Sequence, residues 1–337
     1  MESTLPPNNQ HKRRSGVGSL IVLIILIIAS ALIWVNHQYL VDSINFWRYQ
    51  PTSAVASIAS RDMLTDTGKF IFYASTPSID DKTTFNQECE RKESGTAILG
   101  CYVNDKIFLY NVTDPRLDGI EEVTAAHEML HAVYERMSTT DRATIDSLVE
   151  AEYQKLKDNP DYAERMAFYA RTEPGERDNE LHSIIGTEVA SVSPALEAHY
   201  AKYFTQRSTV VDLYNSYNSA FTSLSNQAKT LSKQLDAINA EIKVASEKYN
   251  ADVVTLNSDI SDFNQRAASG SFSSQAAFNS ERQALVSRAN TVTGERNSVN
   301  DMISQYNSLR DQYNSIVTQS NNLYDSIDSS LAPAPKV

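Results

Sequence analysis

The chain has 337 residues, enough for two domains, and its two ends differ sharply in composition. A formal net charge of −12 argues against nucleic acid as a partner and leaves only the short basic N-terminal segment suited to anionic lipid. Two cysteines without a Cys-x-x-Cys spacing exclude the common cysteine-based metal sites.

Residues 1–16 form a polar segment containing His11-Lys12-Arg13-Arg14, expected to lie in the cytoplasm. SLIVLIILIIASALIWV, residues 19–35, carries no charge, and 17–36 is predicted to be a transmembrane signal anchor crossing ~30 Å of hydrocarbon. Lys12, Arg13 and Arg14 on its N-terminal side predict a single-pass protein of the cell membrane with everything beyond about residue 37 extracytoplasmic. The competing reading is a signal peptide cleaved at Ala29-Ser30-Ala31. Against it, Leu32-Ile33-Trp34-Val35 continue the apolar run, and Trp34 suits an interfacial anchor.

Residues 37–68 read as a partly helical juxtamembrane connection punctuated by Pro51. Strand patterns follow. KFIFYAS (69–75) is a short β-type run, and AILGCYV, Asn104-Asp105 and KIFLYNV read as a hairpin with a two-residue turn. Cys89 and Cys101, in the exported part, predict a disulfide, with two unrelated buried thiols as the alternative. From Asp118 the signals are helical, opening on the capping-box pattern Asp118-Gly119-Ile120-Glu121. That helix buries Val123, Ala126, Leu130 and Val133 or Tyr134, and further helices are predicted near 140–157, 160–171, 178–190 and 194–204.

Beyond Gln206 the chain turns to Ser, Asn, Gln and Ala with large apolar residues at steps of four and three. One seam runs from Tyr217 through Leu231, Ile238 and Ile260 to Phe263; ASGSFSSQ (268–275) interrupts it. A second runs from Leu285 through Val299, Ile303 and Tyr306 to Ile327. Residues 206–331 therefore predict an antiparallel coiled-coil hairpin, followed by a loose tail, 332–337. The hairpin is a spacer, or a surface for self-association or for an envelope protein partner.

The chemistry is concentrated in HEMLH, residues 127–131. Histidines four apart share a helix face and reach one ion, and a glutamate after the first projects beside that ion, where it can accept a proton from water. Zn2+ suits such a site because nitrogen and oxygen ligands hold it with one position open to water. HEMLH on a helix, preceded by the strand KIFLYNV, resembles the active-site helix and upper edge strand of the zincin metallopeptidases. The resemblance implies His127 and His131 as zinc ligands, Glu128 as general base and acid, and a substrate extended along that edge. The metzincin branch would continue with a glycine and a third histidine, where Tyr134 and Met137 stand instead.

NELHS (179–183) is similar to the start of the downstream ligand helix in gluzincins, which implies Glu180 as third ligand, with His182 and Glu188 as alternates. Ile184 stands where that family has an aspartate, so support for one histidine has to come from elsewhere. Tyr169, Arg171, Arg177, His199 and Tyr200 are candidates to stabilise an oxyanion.

The expected fold is thus an α+β zincin-like catalytic domain, a small sheet plus active-site helices over 69–205, preceded by one transmembrane helix and followed by an all-α antiparallel coiled-coil hairpin. The expected function is a membrane-anchored zinc metallopeptidase hydrolysing peptide or protein substrates. The alternative is a non-catalytic envelope scaffold acting through the coiled coil.

Overall fold

The structure, a computed structural model, describes residues 16–89, 98–172 and 174–329, with side chains from residue 20 onward. The basic residues Lys12, Arg13 and Arg14 and the tail 332–337 lie outside the described residues. Contacts divide the chain into two units, Met1–Val112 with Gly119–Asn215, and Thr113–Asp118 with Ser216–Val337.

The first unit opens with helices α1 (Gly16–Val35), α2 (His37–Arg48), α3 (Ser53–Arg61) and α4 (Asp66–Ala74). Strand β1 (Ser78–Asp80), helix α5 (Lys82–Glu88) and strands β2 (Gly100–Val103) and β3 (Lys106–Tyr110) follow. Helices α6 (Ile120–Arg136), α7 (Thr139–Leu156), α8 (Pro160–Thr172), α9 (Arg177–Glu188) and α10 (Pro194–Tyr200) complete it, with the start of α11 (Arg207–Ala268). Helix α12 (Gln275–Ile327) lies in the second unit.

Helix accounts for 79% of the described residues, and the sheet has three strands of three to five residues in the order β1-β3-β2. The expected α+β zincin-like domain is therefore corrected to a mostly helical fold. Three differences explain the shift. KFIFYAS is the body of α4, because the Thr65 hydroxyl caps that helix by accepting from the Gly68 amide, 3.0 Å away. Its run of consecutive apolar residues is too short to separate a buried helix from a strand by period alone. KIFLYNV supplies the central strand, paired parallel with β1 and antiparallel with β2, so the sheet's edges are β1 and β2. The hairpin turn itself is as predicted, with Asn104 and Asp105 both at positive φ, 51° and 61°.

The single transmembrane helix is corrected as well. Among the described residues no one helix is long and apolar enough to cross a membrane; Leu20–Val35 and His37–Arg48 pass that test only as a pair, bent by 66°.

The capping box is also absent. Helix α6 starts one residue later, on Gly119 at φ 98°, and the Glu121 carboxylate accepts from the Val112 amide at 2.8 Å. The disulfide Cys89–Cys101 is formed and ties the end of α5 to the edge strand β2.

In the second unit the two long helices pair antiparallel within one chain. Lys248 with Glu295, Asp259 with Arg288 and Arg266 with Glu281 form ion pairs across the hairpin, and Phe263, Phe272 and Phe278 close its turn with ring centroids 5.1–5.3 Å apart. The seam differs at one position: Ile303 is 41% exposed, and Met302, three residues after Val299, faces inward instead.

Helix α9 is the centre of the first unit, with every residue from Asn179 to Thr187 buried. It lies close against α6 because Gly186 has no side chain. A Cβ there would stand 2.4 Å from Leu130 Cδ1 and 2.8 Å from Tyr200 Cε1. Tyr200 cannot swing aside readily, since its ring is fully buried and its hydroxyl donates to the His182 carbonyl at 2.8 Å. Gly186→Ala is expected to destabilise the fold by ~1–3 kcal/mol through overpacking. Thermal or denaturant unfolding checks this, and an unchanged midpoint would show that α6 and α9 have room to spare.

Candidate metal centre

Histidines 127 and 131 fall one turn apart on α6, and their rings meet edge to face with centroids 4.7 Å apart. Helix α9 brings Glu180 up to both. Its Oε2 lies 3.6 Å from His127 Nε2, and its Oε1 lies 3.6 Å from His131 Nε2. Both distances are too long for hydrogen bonds. They are close to the ~3.3 Å edge of a tetrahedron whose metal–ligand bonds are ~2.0–2.1 Å.

One ligand atom from each residue lies within 4.8 Å of the others, so His127, His131 and Glu180 form a group able to hold a metal ion. The state of Glu180 fits that use. Its Oε2 is buried and has no hydrogen-bond partner among the described residues, an arrangement that costs ~1–3 kcal/mol or more for a charged group unless something satisfies it.

The electrostatics point the same way. Burial works against a charged His127, but the carboxylates of Glu180, Glu128 and Glu188 outweigh it and raise the imidazole's pKa. Burial works against a charged Glu180 too, yet His131, His127 and the Tyr169 hydroxyl hold its carboxyl below the usual range. A field that attracts a proton to His127 attracts a metal cation by the same Coulombic argument.

The support missing at Ile184 comes from Asn179. His131 Nδ1 lies 2.9 Å from Asn179 Oδ1, with Ser183 Oγ at 3.4 Å. Asn179 Nδ2 donates to Glu176 at 3.0 Å, which turns the amide oxygen toward the histidine. His131 Nδ1–H thus donates to Asn179 and leaves the Nε2 lone pair facing Glu180.

Neither alternate for the third ligand joins the group. His182 is fully buried, its Nε2 2.9 Å from His199 Nε2, and burial followed by the field of His199 depresses its pKa well below normal. Glu188 is ion-paired to Arg165 at 2.5 Å.

Glu128 is buried on the same helix, where β2 passes closely over it. A Cβ on Gly100 would stand 2.9 Å from Glu128 Cγ and Oε1 and 2.6 Å from Thr124 Cγ2. Gly100 therefore clears the space the carboxylate occupies beside the edge strand.

Of the five oxyanion candidates, Tyr169 reaches this group, bonding to the Glu180 carboxylate. Burial, then the negative charge of Glu180, raises its pKa well above normal, so it stays a neutral donor. The others are engaged elsewhere: Arg177 with Glu150, Arg171 with the Ala167 carbonyl, His199 with His182, and Tyr200 with the His182 carbonyl.

Compared with known proteins, the chain matches no protein family, no curated protein and no solved structure.

Bound metal is expected to fall most severely in Glu180→Ala, while His182→Ala and Glu188→Ala retain it where they fold. Asn179→Ala is expected to weaken metal binding by ~10- to 100-fold without abolishing it. Elemental analysis and competitive chelator titration of the folded variants check both. Equal loss in Glu188→Ala and Glu180→Ala would contradict the assignment.

Proposed function

We propose that the chain is a zinc-dependent metallopeptidase, held at a membrane by the bent apolar pair Leu20–Val35 and His37–Arg48, with its catalytic and hairpin units outside the cytoplasm. The observation that carries this reading is the convergence of Glu180 on His127 and His131 beside a buried Glu128. Zinc fits the two-imidazole, one-carboxylate set; when bound, it would make a water easier to deprotonate near neutral pH and would polarise a carbonyl.

The chain's own groups complete the reaction. Glu128 takes the proton of the attacking water as its oxygen bonds to the scissile carbonyl carbon. It then delivers that proton to the amide nitrogen, which leaves as an amine when the C–N bond breaks. The Tyr169 hydroxyl, kept neutral, donates toward the developing oxyanion. Strand β2, at the end of the sheet and against Glu128, offers its outer edge to an extended peptide.

The hairpin, a unit of its own, favours a second task, holding an envelope protein partner or a substrate. A purely scaffolding protein has no use for a buried general base and an open-ended ligand set, and this weighs against that alternative.

Glu128→Gln is expected to keep its metal and its fold while hydrolysis of unstructured peptides falls by ~10²–10⁴-fold. Tyr169→Phe is expected to lower kcat by about 10²–10³-fold with little change in KM. Peptide cleavage followed by mass spectrometry reads both. Undiminished cleavage by Glu128→Gln would remove the general base and with it this mechanism.

A further inference from the structure

Helices α1 and α2 are joined by one residue, Asn36, and differ in how their apolar surface is arranged. On α1 every large apolar side chain from Leu20 to Val35 is exposed, around the whole circumference of the helix. A helix that is apolar all round matches lipid better than any single protein face. On α2 Leu40, Ile44 and Trp47 form an exposed apolar stripe at spacings of four and three, with Val41 on one flank and the exposed rings of Tyr39 and Phe46 on the other. Trp47 is 88% exposed, and Trp34, just before the bend, is 80% exposed.

The opposite face of α2 is held to the first unit through Asp42, its buried residue, with Phe46 half covered beside it. Phe46 stacks against Phe70 of α4 at 5.3 Å, and the buried Asp42 accepts from both Arg136 Nε and Nη2, at 2.9 and 2.7 Å. Arg136 is the last residue of α6, and it also donates to the Tyr102 hydroxyl on β2 at 2.9 Å. The stripe includes no acidic residue, and the helix ends in Arg48.

We propose that α2 lies flat on the lipid surface, with Leu40, Ile44 and Trp47 in the headgroup–acyl boundary. The 66° bend after α1 turns the chain from insertion into the plane of that surface. Tryptophans at both ends of the bent pair suit such a boundary. Through Asp42–Arg136 the flat helix is bolted to the active-site helix, so the lipid surface sets the height and tilt of the metal group. The occupant is a bilayer rather than a protein, because the stripe continues the lipid-type surface of α1 across a single residue. Burial of apolar side chains dominates, so zwitterionic lipid is sufficient.

This rests on the membrane attachment proposed above, and the chain's two tryptophans, Trp34 and Trp47, separate the two ideas. The full chain is placed in phosphatidylcholine nanodiscs, which leave both membrane faces open to solutes. Trp34→Phe leaves Trp47 as the sole reporter, and Trp47→Phe leaves Trp34. Trp47 emission is expected to shift to the blue, to be quenched several-fold more by lipid spin-labelled near the headgroup than at the chain end, and to be shielded from iodide. Trp47 open to iodide and insensitive to lipid label, with Trp34 still lipid-quenched, overturns the flat helix and spares the attachment. Neither tryptophan sensing lipid overturns both. Shielding of Trp47 from iodide without lipid quenching assigns the face to a protein contact and also overturns the proposal.

Discussion

The close passage of α9 against α6 is the constraint on which the first unit depends. Two helices normally keep 8–10 Å between axes, and a side chain at the crossing pushes them toward the upper end. Gly186 removes that side chain where Leu130 and Tyr200 press in. Leu130 immediately precedes His131, and Glu180 lies less than two turns before Gly186 on the facing helix. Packing at one end of the crossing therefore decides whether a carboxylate at the other end reaches two imidazoles. The apolar contact and the polar group are parts of one arrangement.

That arrangement carries a cost in the folded chain, because α9 buries Asn179, Glu180, His182 and Ser183 together. Buried polar groups are tolerated when they are paired. Asn179, Ser183 and His131 satisfy one another, and His182 pairs with His199. Among these four residues His182 Nδ1 and Glu180 Oε2 are left without a hydrogen bond, and the second of these faces His127. A buried carboxylate with one oxygen facing each of two ring nitrogens, neither within hydrogen-bond range, makes a place for a cation.

Much of this was legible in the residues, and the failures have physical causes. The spacing of His127 and His131 follows from helical geometry, so their shared face needed no tertiary information. The hairpin was legible for the same reason, since a heptad seam is local; only Ile303 misled, because its hydrophobicity outweighed the three-residue step that selects Met302. KFIFYAS could not be resolved from its own residues, because the deciding signal was a cap at Thr65, outside the run. The small sheet was overestimated in weight, because a strand pattern says nothing about how many helices surround it. The role of Asn179 was hidden for a different reason: a residue that supports a ligand from across a helix crossing has no spacing rule relative to the histidine it holds.

X-ray absorption at the zinc edge, on the full chain loaded with one equivalent of zinc, tests the central claim most directly. The account predicts two imidazole nitrogens and oxygen neighbours at ~2.0–2.1 Å, with one oxygen scatterer lost in Glu180→Ala. A shell holding three or more imidazoles, or zinc that does not remain bound to the folded chain, would contradict it.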